Sequence, residues 1–183
     1  FDVNSAARIA RAEPDFPELA AHWPAVAANW RRKQLEYTWL RAVSGRHADF
    51  EQVTKDGLDW TLEAAKLTSP ALRERLLALY WELDAYPDVT AMLARLKAAG
   101  ARTAILSNGT PEMLAAAVTS AGITEYLDAV LSIESVGVYK PHDTVYDMVG
   151  QEFGCAKSDV LFVSSNGWDA AGASGYGFTT AWV

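Results

Sequence analysis

A single cysteine, Cys155, stands in a chain of 183 residues. It has no partner for an intramolecular disulfide and sits in no cysteine or histidine cluster, which excludes a disulfide-stapled scaffold and a thiolate metal centre. The thiol reads as a small core residue, with a reducing cytoplasm as the default compartment. Long hydrophobic runs are missing as well, as is a basic segment leading into an apolar one, so neither a membrane span nor secretion is signalled. Basic side chains are in deficit, 16 Lys and Arg against 23 Asp and Glu, for a net charge of −7. That balance argues against nucleic acid or an anionic membrane as partner, while a small anion remains open to a few locally focused cations. No internal repeat or low-complexity segment is evident.

What the chain does have is apolar material, with 50% hydrophobic residues, enough for a core in one or two small domains. Its pattern changes near Tyr86. Before that point only helical periodicity is found: Trp30 to Val43, Phe50 to Leu67, and Pro70 to Leu83, with Pro70 suited to a first helical position. After it, helices alternate with short apolar runs. Val89 to Ala99 reads as a helix closed by Gly100, Thr103 to Leu106 as a strand, and Pro111 to Ala121 as a helix closed by Gly122. Ala129 to Ser132 is strand-like, Thr144 to Phe153 helical, and Val160 to Val163 and Thr179 to Val183 strand-like again. The alternation predicts right-handed βαβ units, a parallel sheet, and therefore an α/β fold. The helical half would then cover the edge of that sheet and exclude water from a cleft between the two parts.

Three polar clusters follow apolar strand-like runs: Ser107-Asn108, Lys140-Pro141, and Ser164-Ser165-Asn166-Gly167-Trp168-Asp169. In open α/β sheets the carboxyl ends of strands are where ligands bind, so the three clusters are predicted to converge on one pocket. Each residue also has an ordinary reading. Lys140 could be a solvated surface lysine, Ser107 a turn residue, Arg31 an exposed helix charge, and Asp169 an acid favoured by a helix N-terminus. Tyr146 could be packing alone.

Four strings together resemble a known family: Trp30-Arg31-Arg32-Lys33-Gln34-Leu35-Glu36-Tyr37-Thr38-Trp39-Leu40-Arg41, Leu106-Ser107-Asn108-Gly109, Val138-Tyr139-Lys140-Pro141, and Ser164 to Asp169. Their order and spacing are similar to those of the L-2-haloacid dehalogenases of the haloacid dehalogenase superfamily, collinear from Phe1 to Val183. The resemblance implies a Rossmann-like parallel sheet core with a helical cap, divided as 6–85 for the cap and 86–183 with 1–5 for the core. It also implies hydrolytic dehalogenation of short L-2-haloacids without metal or organic cofactor, in a homodimer.

By the same resemblance, members of the family begin with a strand ending in a nucleophilic aspartate, followed by a threonine, and the string Phe1-Asp2-Val3-Asn4-Ser5 comes directly after. The nucleophile is therefore expected upstream of Phe1, and the family's last helix beyond Val183. Asp2 matches a later aspartate of that string. A polypeptide starting at Phe1 is expected to be poorly soluble or misfolded, since neighbouring strands would lose main-chain partners, and inactive without the nucleophile.

The resemblance also assigns roles. Lys140 would lie beside the nucleophile and keep that carboxylate ionised. Ser107 and the amides after it would bind the substrate carboxylate or the nucleophile. Arg31 and Asn108 would cradle the departing halide by hydrogen-bond donation. Asp169, Asn166 and Ser164 would orient or activate the hydrolytic water and hold Lys140, with Tyr146 nearby. Leu35, one helical turn from Arg31, would form an apolar pocket with Phe50 and Trp168. Arg32 departs from the family, which usually carries glutamine there, and this bears on pocket polarity and substrate size.

Two other readings follow from the same residues. A magnesium-dependent phosphatase of the same fold needs acidic residues at the last strand end, where Ser164 and Asn166 stand instead. A non-catalytic fragment or scaffold would keep only the shape of the enzyme.

Overall fold

The computed structural model describes residue 12 and residues 15–183, so the string Phe1 to Ser5, assigned above to the core, lies outside the described residues. The first helix, α1, spans Pro17–Ser44 and so starts well before the Trp30 expected from periodicity. The cause is a buried stripe that is apolar along only part of its length. Leu19, Trp23, Val26 and Trp30 are followed at the same helical spacing by Gln34 and Thr38, and all six are buried. Packing along this stripe outweighs Pro24 inside the helix, whose missing N–H costs about 3 kcal/mol.

The polar members of the stripe are satisfied internally. Gln34 Nε2 donates to Thr54 Oγ1, Tyr80 OH donates to Gln34 Oε1, and Trp30 Nε1 donates to the Thr54 carbonyl, each at 2.9 Å. Helix α2, Phe50–Ala65, is capped by Asp49, which accepts from Gln52 N at 2.7 Å. Helix α3, Pro70–Ala78, runs on into a 3₁₀ turn at Leu79–Trp81. Leu58, Leu62, Leu72, Leu76 and Leu79 close over the α1 stripe as one core. Each such fully buried side chain contributes roughly 1.5–3 kcal/mol of apolar transfer.

From Val89 the chain alternates as predicted: α4 (Val89–Ala98), β1 (Ala104–Ser107), α5 (Pro111–Ser120), β2 (Ala129–Ser132), α6 (Asp143–Phe153), β3 (Leu161–Ser164), α7 (Gly167–Tyr176) and β4 (Thr179–Trp182). β1 and β3 each sit one residue later than expected, so Ser107 and Ser164 are the last residues of strands and not loop residues after them. All pairing is parallel, with Ala104 opposite Ala129 through Ser107 opposite Ser132, and Leu161 opposite Thr179 through Ser164 opposite Trp182. Among the described residues the strands form two separate pairs, β1 with β2 and β3 with β4. Side chains connect the two pairs, Lys140 Nζ reaching both the Leu106 carbonyl of β1 and Asp169 beyond β3.

Packing crosses from the helical half to the alternating half. Ala117 on α5 belongs to the helical core, and Val53 on α2 packs with Ile133, Tyr139, Val145 and Met148. Among the described residues no helix is long and apolar enough to cross a membrane.

Candidate active site

Lys140 is 5% exposed, an unusual place for an ammonium group, and every contact it makes explains how it is held there. Its Nζ donates to Asp169 Oδ2 at 3.0 Å and to the Leu106 carbonyl of β1 at 2.8 Å, and lies 4.9 Å from the centre of the Phe162 ring on β3. Its backbone N–H donates to Asn108 Oδ1 at 3.2 Å. One side chain thus ties the end of the first strand pair to the helix that leaves the second. Burial pulls the lysine below the ordinary range of its pKa, and the Asp169 charge pulls it back up.

Asp169 sits in the first turn of α7, where exposed backbone N–H groups favour a carboxylate. It is buried and accepts from three side chains: Lys140, Ser164 Oγ at 3.2 Å, and Tyr146 OH at 2.9 Å. The Tyr146 side chain, on α6, is fully buried among the rings of Phe162, Tyr176 and Phe178. Burial first, and the Asp169 charge second, push its phenol above the ordinary tyrosine range, so it remains a proton donor throughout the working pH range. The ordinary readings of Lys140 as a surface lysine and of Tyr146 as packing alone do not describe these positions.

The network continues toward the helical half. Ser164 Oγ also accepts from the Asn166 N–H at 3.2 Å, and Asn166 Oδ1 accepts from Arg31 Nη2 of α1 at 2.9 Å. Trp168, two residues on, meets Trp39 of α1 edge to face, with centroids 5.6 Å apart and planes at 82°. The Trp168 Nε1–H is buried without a partner among the described residues. Ser107 Oγ accepts from Gly109 N at 3.1 Å, the turn role foreseen as its ordinary reading, at the strand end beside Asn108.

Seven residues singled out by sequence are therefore joined by direct bonds: Lys140, Asp169, Tyr146, Ser164, Asn166, Arg31 and Asn108. Leu35 shares with Arg31 an open surface groove of about 600 Å³ along α1, bordered also by Ala28, Arg32, Glu36, Trp39 and Leu40. Phe50 is placed at one remove, its ring 6.5 Å from that of Tyr139, the residue before Lys140. Arg32 is drawn to the solvent side, where it donates to Asn29 Oδ1 at 3.1 Å and stacks over Trp60.

Sequence reasoning missed Trp39 and Phe162. Trp39 lies two helical turns from Arg31 and shares its face, so the spacing that paired Arg31 with Leu35 would have found it. Phe162 alternates with the exposed Leu161 and Val163, which places it on the same face of β3 as Ser164.

The family of haloacid dehalogenase-like hydrolases matches residues 3–177. The chain is similar to (S)-2-haloacid dehalogenase 1 of Pseudomonas sp. (strain CBS-3), 47% identical over 152 residues, or 82% of this chain and 67% of that protein. It is 41% identical over 184 residues to the (S)-2-haloacid dehalogenase of Pseudomonas sp. (strain YL), covering 100% of this chain and 77% of that one. Among solved structures, the L-2-haloacid dehalogenase of Xanthobacter autotrophicus with chloropropionic acid covalently bound superposes with a TM-score of 0.89 at 41% identity, covering 100% of this chain and 72% of that chain.

Proposed function

Since the chain belongs to the haloacid dehalogenase-like hydrolases, we propose that its activity is the hydrolytic dehalogenation of short L-2-haloalkanoic acids to D-2-hydroxy acids and halide. An aspartate carboxylate, whose family position lies upstream of Phe1, attacks the carbon that bears the halogen. A carbon–oxygen bond forms, the carbon–halogen bond breaks, and halide leaves with the bonding pair, inverting the carbon. Water then hydrolyses the ester at the carboxyl carbon of the enzyme, so the inverted configuration is kept. The covalent complex of the Xanthobacter relative with chloropropionic acid supports an ester intermediate of this kind.

The observation that carries the reading is the buried ion pair of Lys140 and Asp169, held at 3.0 Å at the strand ends. In this reading Lys140 supplies the positive charge that keeps the nucleophile ionised, and Asp169, with Ser164 and Asn166, positions the hydrolytic water. Tyr146 donates to Asp169 and so fixes the direction of its free lone pairs. Arg31 and Asn108 stabilise the departing halide, Ser107 and the amides after it receive the substrate carboxylate, and Leu35, Phe50 and Trp168 face the alkyl group. The buried N–H of Trp168, unpartnered among the described residues, supports an anion nearby, because an unmet buried donor is costly. Residues 6–85 act as the cap and 86–183, with 1–5, as the core. In this reading the protein works in the cytoplasm as the homodimer that the family resemblance implies, and its acidic balance speaks against nucleic acid as a partner.

The test is halide release from L- and D-2-chloropropionate by the natural full-length protein, with and without a strong chelator. Release from the L isomer alone, unchanged by chelator, is the expected result. Activity that requires a divalent cation, or that acts on phosphate esters and not on haloacids, would overturn it.

A further inference from the structure

Gly172 lies on α7 one helical turn beyond Asp169. A Cβ built there would come within 2.6 Å of both Tyr146 OH and Pro141 Cβ, a separation real side chains do not adopt. Tyr146 cannot draw back, because its fully buried ring is enclosed by Phe162, Tyr176 and Phe178. Pro141 is bonded to Lys140, which is itself pinned between Leu106 and Asp169. The absent side chain is therefore what allows α6, the Lys140 turn and α7 to meet closely enough for Asp169 to be gripped from both sides, by Tyr146 on Oδ1 at 2.9 Å and by Lys140 on Oδ2 at 3.0 Å.

We propose that Gly172 is a positioning residue of the reaction, setting the distance between α7 and the Tyr146 hydroxyl and thereby the orientation of the Asp169 carboxylate. This rests on the dehalogenase reading above, in which Asp169 directs water onto the ester. A methyl group at 172 pushes either the phenol or α7 outward. Displacing a reacting group by about 1 Å costs on the order of 100-fold in rate, so the step that depends on Asp169 slows while substrate binding, which uses other groups, does not.

The experiment compares wild type, Gly172→Ala, Tyr146→Phe and the double variant in the natural full-length protein, reading kcat and KM for L-2-chloropropionate together with the thermal midpoint. For Gly172→Ala the expected result is a kcat lower by about 10- to 100-fold with KM falling alongside it, so that kcat/KM, which reports ester formation, stays within about twofold. In the Tyr146→Phe background the contact with the hydroxyl is gone while that with Pro141 Cβ remains, so the same substitution costs a clearly smaller further loss of kcat than in wild type. An unchanged kcat with only a lower midpoint would make Gly172 a packing residue and overturn the proposal. So would an equal loss of kcat in both backgrounds. If Gly172→Ala does not fold, the comparison of Tyr146→Phe with the double variant decides alone: a further drop below about 10-fold supports the proposal and a drop of about 100-fold or more defeats it. A wild type that releases no halide defeats the dehalogenase reading itself, a result unlike an active wild type matched by an equally active Gly172→Ala.

Discussion

Lys140 concentrates the chemistry because its charge is held where water is scarce. Removing the cation by Lys140→Met leaves Asp169 buried without its counter-ion, and breaking a buried pair from one side typically costs about 3–5 kcal/mol. Chemical unfolding at neutral pH is expected to show a loss of that size, together with loss of halide release. The pH response has a definite sign. The native pKa of Lys140 lies below that of the unfolded chain, chiefly through burial. Between the two values the unfolded state binds a proton that the native state does not, so this group's contribution to stability rises with pH in that window. Activity moves the other way, since the cation is lost as pH climbs. The alkaline limb of the kcat profile is therefore expected where Lys140 loses its proton, and Lys140→Arg, which cannot deprotonate there, should shift that limb upward while lowering the plateau. An alkaline limb unchanged in Lys140→Arg would assign that titration to another group.

At the scale of elements, the alternating half was readable almost residue by residue because its helices and strands are short, end at turn residues, and carry apolar runs of one period. The strand ends, and hence Lys140 and the Ser164 to Asp169 string, could be located for the same reason. The helical half was harder. Helix α1 begins at Pro17, but Pro24 interrupts its sequence signal and the buried stripe turns polar at Gln34 and Thr38, so hydrophobic periodicity sees only part of it. Those polar residues make sense only once Thr54 and Tyr80 are in place to bond them. Gly172 was illegible for a similar reason, since nothing local marks a glycine whose neighbours come from a different helix and turn. What holds α1 against α2 is tertiary packing, which gives a direct test. Leu58 is 0% exposed within the core shared by α1 and α3. Leu58→Ala should cost about 2–5 kcal/mol in reversible unfolding, the range for a cavity in a well-packed core. A loss below about 1 kcal/mol would mean the helices collapse onto the space, and that α1 owes less to this core than its buried stripe implies.

Across the whole molecule, the helical half meets the alternating half at points of different character. Arg31 reaches Asn166 at 2.9 Å, His47 pairs with Glu134 at 2.8 Å, and Tyr139 OH donates to the Ala48 carbonyl at 2.5 Å. The polar contacts give direction with modest stability, because partly exposed pairs are worth roughly 0–1 kcal/mol. The Trp39–Trp168 contact differs in joining two rings, one of them on the α1 face that carries Arg31 and Leu35. Trp39 is still 38% exposed, so the global fold does not depend on its burial. Its contact instead determines how firmly α1 lies over the strand ends, and with it the position of Arg31 relative to Asn166. Trp39→Ala should therefore leave unfolding stability within about 1–2 kcal/mol of wild type, given an edge-to-face ring pair worth about 0.5–1.5 kcal/mol. Its effect should fall on substrate capture, with KM for L-2-chloropropionate rising several-fold and kcat changing less, because a looser α1 weakens substrate binding in ground and transition states alike. A kcat that collapses at unchanged KM would place Trp39 in the chemical step and not in closure, and the contact between the halves would then have to be assigned to the polar pairs.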